Sequence, residues 1–296
     1  MKGVLLVDKP AGITSHDVVD RIRRAAKMRR VGHTGTLDPA ATGLLVLCLG
    51  SATRLSEHLT GLDKVYEGAM RLGIVTDSYD LDGKVLQDNP VPALTIEAIR
   101  EACGTFTGDV LQVPPMVSAV KVGGERLYKK ARQGEEVVRP PRTVVVREFS
   151  VLGYEPPDVS IRVRCSRGTY VRSLCHDVGQ ALGCGGTLAS LRRTFVGRYS
   201  VEDALPVDAF QEPKDVERRL LSLDTVLDLP VVVVRPEGRP AVASGAALVG
   251  RHLLGPCPVK EGWVQIKSGS GTLLALGEVR VGPVGPYIHP KRVFAK

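Results

Sequence analysis

The sequence predicts an α+β fold built around a mixed or antiparallel sheet with flanking helices. Three patterns carry that reading. Short apolar or alternating segments dominate, helical periodicity is scattered among them, and Gly and Pro punctuate several junctions. The 296 residues are 43% hydrophobic, enough for a real core in one large domain or two smaller ones.

Residues 3–7 read as the first strand. Ser15 is placed to cap a helix whose Val18, Val19, Ile22, Ala25 and Ala26 share one face. That helix ends in Lys27-Met28-Arg29-Arg30, where the macrodipole favours cations. Residues 32–43 then pack three glycines, His33, Asp38 and Pro39 into a loop before an apolar strand, Leu44 to Leu49. Glycine opens backbone geometry closed to other residues, and Pro39 fixes φ beside Asp38, so the position of that carboxylate is over-determined. Alone, the loop is either a strand-connecting turn with a capping Asp or a mount for a reactive acid.

Residues 66–72 and 159–165 alternate like half-buried strands, the second with Val159, Ile161, Val163 and Cys165 inward and Arg162 and Arg164 outward. Thr169 is placed to cap a helix with Val171, Leu174, Cys175, Val178 and Leu182 on its buried face and Gly183 as its stop. Residues 121–142, which include Lys129 and Lys130, form a basic stretch bracketed by Gly and Pro. That composition suits a solvated helix or an arm over the main sheet. Residues 206–228 carry mixed charge in a helical pattern. A strand restarts at Val231–Val234, and a hairpin, 263–267 with 272–278, turns through Ser268-Gly269-Ser270-Gly271. The chain therefore divides into a main domain, 1–228, and a small β-rich domain, 229–296.

The formal net charge of +8 favours a polyanionic partner, and a membrane surface would satisfy the same charge. No apolar run reaches the roughly 18 residues of a membrane helix, and the first residues are too short for a signal peptide, so a cytoplasmic protein is expected. The six cysteines form no CxxC pair and show no zinc spacing, which points to reduced, buried thiols and no metal centre. Gly32-His33-Thr34-Gly35 lacks dinucleotide-binding spacing.

Six motifs in order carry a resemblance. They are Asp8-Lys9-Pro10 with Gly12 and Thr14-Ser15; the Asp38 loop; Asp63-Lys64-Val65-Tyr66; Thr76-Asp77-Ser78 with Asp80 and Asp82-Gly83; Cys165-Ser166-Arg167-Gly168-Thr169-Tyr170-Val171-Arg172; and Leu191-Arg192-Arg193. The set resembles the TruB-type pseudouridine synthases, which isomerise a uridine in the T-loop of tRNA. The similarity is strong over roughly residues 3–200 and weak over the last 70 or so. It implies the pseudouridine synthase fold, an RNA-gripping thumb at 121–142 and a PUA-like RNA-binding domain at 229–296. One departure stands at Val117, where the family usually has tyrosine.

The resemblance also implies roles. Asp38 is the catalytic carboxylate, and Arg172 is expected to lower its pKa and keep it ionised. Tyr66 stacks on the flipped base, His33 fills the place the base vacates, and Tyr170 and Leu191 wall the uracil pocket. Lys9, Lys64, Arg192, Arg193, Lys129 and Lys130 are expected to meet phosphates. The reaction breaks the N1–C1′ bond, turns the base over and joins C5 to C1′. It needs no redox partner or group donor, so no cofactor and no metal is implied. The expected partner is the tRNA T stem-loop, met by a monomer with no obligatory protein partner. Two other readings compete: a guide-RNA-dependent relative acting on ribosomal RNA, and an RNA-folding chaperone.

Overall fold

A computed structural model of the chain describes residues 1–116, 118, 121–122, 125–126 and 137–294. The chain opens with β1 (Gly3–Lys9), α1 (Ser15–Ala25), β2 (Val31–His33), β3 (Thr42–Leu49), α2 (Ser56–Gly61) and β4 (Lys64–Leu72). A ribbon of β5 (Ile74–Thr76) and β6 (Val85–Asp88) precedes α3 (Ile96–Gly104), β7 (Gly108–Gln112) and the short pair β8 (Lys121–Val122) and β9 (Glu125–Arg126). Then come β10 (Arg142–Glu155), β11 (Asp158–Cys165), α4 (Val171–Ala181), β12 (Gly186–Val196), β13 (Tyr199–Ser200), β14 (Leu205–Pro206) and α5 (Pro213–Arg218).

These strands form a ten-stranded mixed sheet in the order β14-β1-β3-β12-β4-β11-β10-β7, with β2 added to β3 and β13 to β12. Its two halves meet where β3 and β12 pair in parallel over Thr42↔Arg192 and Gly43↔Arg193. Gly43 permits that seam: its φ is +100°, and a Cβ there would lie 2.3 Å from the Arg193 carbonyl oxygen. The Asp38 loop enters the sheet at this crossing.

Helices cover the sheet in two places. Val18, Val19 and Ile22 of α1 pack on Leu5, Val7, Leu45 and Leu47. Ile99 and Cys103 of α3, with Leu174, Cys175 and Val178 of α4, pack on Met70, Val146, Ile161 and Val163. Five of the cysteines are free and buried, and Cys257 is half-buried. Outward Arg162 pairs with Glu67 across the strands at 3.5 Å, as the alternation predicts.

Both helix caps differ from expectation. Thr14, not Ser15, caps α1 through a reciprocal pair with Asp17. Ser15 is freed to turn inward, where its hydroxyl bonds both polar groups of the Leu37 backbone. The N-cap of α4 is Tyr170, because the Thr169 hydroxyl donates to the Ser166 carbonyl instead. The helical pattern over 206–228 reduces to α5 and a short 3-10 turn at Val207–Ala209.

A separate four-stranded sheet follows: β15 (Val231–Val234), then after α6 (Arg239–Ser244), β16 (Gly262–Ser268), β17 (Leu273–Gly282) and β18 (Gly285–Val293). It encloses its own core of Val232, Val242, Leu248, Ile266 and Ile288. The hairpin expected from the Ser-Gly turn is present as β16 and β17. Val117 and most of residues 121–142, Lys129 and Lys130 included, lie outside the described residues, so the thumb remains a reading of the sequence.

Candidate active site

The loop bearing Asp38 is fixed by its backbone. The Gly12 amide donates to the Pro39 carbonyl at 2.9 Å, the Ala41 amide to Asp38 at 3.1 Å, and the Thr34 amide to Val46 at 3.0 Å. Two buried cations bond carbonyls in and around the loop. Lys9 is 0% exposed, and its Nζ donates to Pro10, Ile13 and Pro39 at 2.8, 2.7 and 3.0 Å. Arg193 is 2% exposed, and its guanidinium reaches the carbonyls of Leu44, Gly35 and Thr36 at 2.7, 3.1 and 3.4 Å. Lys64 is likewise buried, donating to Thr60 and Leu62 at 2.5 and 2.6 Å.

Lys9, Lys64 and Arg193, expected from sequence to meet phosphates, bond backbone carbonyls here, and Lys64 and Arg193 also line the cleft beside Asp38. Their charges face clustered carbonyl dipoles inside the protein, and burial pushes the Lys9 and Lys64 ammonium groups down to about 8. Arg192 does lie at the surface, but it grips Asp8 through two bonds of 3.1 and 2.7 Å.

Asp38 faces a cleft of about 240 Å³. Tyr66 from β4, Leu191 from β12, and Tyr170 with Arg172 at the start of α4 line it. The structure thus brings together seven of the residues singled out from sequence, since Lys64 and Arg193 line the same cleft. His33 stands just outside the lining, at the end of β2, with Nδ1 accepting the Gly35 amide at 3.3 Å. Burial, aided by the nearby Arg193 charge, lowers its pKa and favours the neutral ring.

Arg172 is 3% exposed and spans two carboxylates. One nitrogen meets Asp38 at 3.1 Å; the other meets Asp80 at 3.0 Å and donates to the Ser78 carbonyl at 3.0 Å. Asp80 in turn accepts the Ser78 hydroxyl at 2.5 Å. Asp80 and Ser78 had no assigned role in the sequence reading, although their motif was visible there. Asp80 orients the guanidinium from the side away from Asp38, so the arginine is held at both ends.

The charge balance at Asp38 departs from expectation. Burial raises its pKa above the usual carboxylate value; Arg172 and then Lys9 pull it back, while Asp80 pushes it up. Desolvation wins over the ion pair. Burial also raises the phenols of Tyr66 and Tyr170, which keeps both rings neutral at ordinary pH. No group of three or more His, Cys, Asp or Glu side chains among the described residues could hold a metal ion.

A carboxylate held by a buried arginine beneath aromatic and aliphatic walls suits work on a planar base. Known proteins agree. The family model described as "TruB family pseudouridylate synthase (N terminal domain)" matches residues 23–171, and that for the "tRNA pseudouridylate synthase B C-terminal domain" matches 172–228. Curated relatives carry the name tRNA pseudouridine synthase B. The chain is 52% identical to the one from Opitutus terrae over 223 residues, 75% of this chain and 92% of the relative. It is 40% identical to that from Heliobacterium modesticaldum over 299 residues, covering 100% and 96%.

Among solved structures, an H/ACA RNP bound to a substrate RNA containing 2'-deoxyuridine matches with a TM-score of 0.76 at 26% identity, over 99% of this chain and 85% of the other. A Cbf5-Nop10-Gar1 complex matches at 0.75 and 30% identity, over 99% and 84%. Together these define an RNA-modifying isomerase. The chain belongs to the TruB family of pseudouridine synthases.

Proposed function

We propose that this enzyme converts a uridine in the T-loop of tRNA to pseudouridine, with Asp38 as the reacting carboxylate. The carrying observation is the 3.1 Å pair between Asp38 and buried Arg172 at the floor of a base-sized cleft. The relatives at 40–52% identity, named for tRNA, support the substrate. A T-loop uridine must leave its stack to reach Asp38, which costs a few kcal/mol and least in a loop. His33, just outside the cleft lining, we read as the residue that fills the gap the base leaves. Tyr66, Tyr170 and Leu191 then sandwich the uracil while N1 parts from C1′ and C5 replaces it. The C5 hydrogen leaves as a proton and N1 gains one, so the sum is an isomerisation. Arg172 orients the ionised Asp38 and offsets its charge between steps.

Residues 121–142, with Lys129 and Lys130, we take as the thumb that grips the stem-loop, and Arg192 as a surface cation that meets the RNA backbone. Residues 229–296 are read as the PUA-like module appended to the catalytic domain, 1–228. The fold matches to an H/ACA RNP and a Cbf5-Nop10-Gar1 complex favour a second reading, in which the chain acts on other RNAs through a guide. The named relatives outweigh it, since they are nearer in sequence over most of the chain. The enzyme is read as a cytoplasmic monomer; no helix among the described residues is long and apolar enough to cross a membrane.

The test is carbodiimide-primer-extension mapping of an unmodified tRNA transcript with the wild-type protein and with Asp38→Asn, without guide RNA. A single stop at the T-loop uridine, lost in the variant while RNA binding persists, is the expected result. A stop that survives in Asp38→Asn would place the chemistry on another group, and binding without any stop would favour the guide-dependent reading.

A further inference from the structure

The first turn of α4 carries both Tyr170 and Arg172, and it is fastened from a neighbouring strand. Tyr170 is the N-cap, and no side chain caps the helix from that position. Gln112, the last residue of β7, is 2% exposed and reaches across instead. Its Oε1 accepts the Tyr170 amide at 2.7 Å, and its Nε2 donates to the Tyr170 carbonyl at 3.0 Å. One primary amide thus satisfies both backbone groups of a cleft residue. Three residues on, the Ser173 hydroxyl donates to the carbonyl of Val113, the next residue after Gln112, at 3.2 Å. Arg172 lies between these two fasteners.

We infer that Gln112 is a positioning residue for the reaction, its amide setting the entry of α4 so that Tyr170 faces the cleft and Arg172 meets Asp38. The inference rests on the proposed role of Asp38. Val171, Leu174, Cys175 and Val178 bury one face of the helix in the core, but these non-directional contacts leave the polar backbone of Tyr170 to Gln112. The reacting geometry depends on that turn, because the guanidinium must stay near 3 Å from both Asp38 and Asp80. A displacement of about 1 Å at a reacting group costs up to about 100-fold in rate.

The same contact affects proton affinity. Asp38 faces Arg172 from α4, Asp80 from the segment joining β5 to β6, and Lys9 from β1. If Arg172 swings away, Asp38 keeps the repulsion of Asp80 and loses its main cationic neighbour, so its carboxyl takes up a proton at higher pH. A residue that only stabilised the junction between β7 and α4 would leave this titration unmoved in the folded protein.

Gln112→Met keeps the length and apolar stem but removes both bonds, and Ser173→Ala removes the second fastener. Each would be assayed on unmodified tRNA transcript by single-turnover rate at saturating enzyme across pH, by equilibrium RNA binding, and by thermal unfolding. We expect Gln112→Met to react about 10- to 100-fold more slowly with little change in Kd, and its acid limb to move to higher pH. Ser173→Ala should shift both readouts the same way by less, and it carries the test if Gln112→Met does not fold. A folded variant with wild-type rate and an unmoved acid limb would overturn the inference. Asp38→Asn run alongside separates the two levels: activity surviving there would remove the premise, whatever Gln112→Met does.

Discussion

Asp38 shows two opposing effects acting on one carboxylate. Burial raises its pKa above the ordinary 3.8, and Arg172 only partly reverses that. On the proposed role of Asp38 the reactive form is ionised, so activity is present above the raised pKa and lost as pH falls through it. The acid limb of the single-turnover rate should lie above pH 3.8, and Arg172→Met should move it further up while slowing the reaction. A limb at or below the ordinary value would show that the ion pair outweighs burial. Lys9 makes a second case. Lys9→Met removes a donor from the Pro10, Ile13 and Pro39 carbonyls, of which Pro39 keeps the Gly12 amide, and this costs roughly 1–3 kcal/mol. Chemical denaturation should record that loss, while the salt dependence of tRNA binding stays at its wild-type slope. A shallower slope would restore the phosphate role that the bare sequence suggests.

Between elements, the decisive contact is the seam of β3 and β12. Gly43→Ala should destabilise by at least about 2 kcal/mol, because the added methyl meets main-chain atoms of Arg193 and φ is positive. An unchanged denaturation midpoint in Gly43→Ala would mean that the seam opens without cost. What the sequence made legible follows from the same distinction of scale. Periodicity within one element placed β1, α1, β3 and α4, since apolar spacing is a local property. The motif around Asp38 marked the loop, and Tyr66, Tyr170, Arg172 and Leu191 do meet it in the cleft. Other contacts between distant segments were not legible. Gln112 lies 58 residues from Tyr170, and Ser78 lies 94 from Arg172, so no spacing pattern connects them. The backbone bonds of Lys9, Lys64 and Arg193 were hidden for a related reason. A cation in sequence reads as solvated, and only the fold reveals the inward-facing carbonyls that hold it.

At the level of the whole molecule, the small C-terminal sheet is packed onto the main one as a continuation of its core. Trp263, Leu273, Leu276 and Phe294 join the cluster of Leu44, Val46, Leu55, Leu59, Leu223 and Val226. Polar contacts reinforce this junction. Gln265 donates to the carbonyls of Leu227 and Leu229 at 3.2 and 2.9 Å, Lys267 donates to that of Asp224 at 2.7 Å, and Arg292 pairs with Glu57 at 3.3 Å. The Trp263 ring meets His58 edge-on at 4.5 Å. Each buried side chain here contributes about 1.5–3 kcal/mol only while both units are folded, so loss of one unit exposes apolar surface on the other. Calorimetry of the full chain should therefore give a single transition, and a chain ending at Asp228 should melt at lower temperature and self-associate through the uncovered face of α2 and the segment around Leu223. Two resolved transitions in the full chain, or an unchanged Tm after truncation, would mean that the C-terminal sheet hangs beside the catalytic unit without sharing its core.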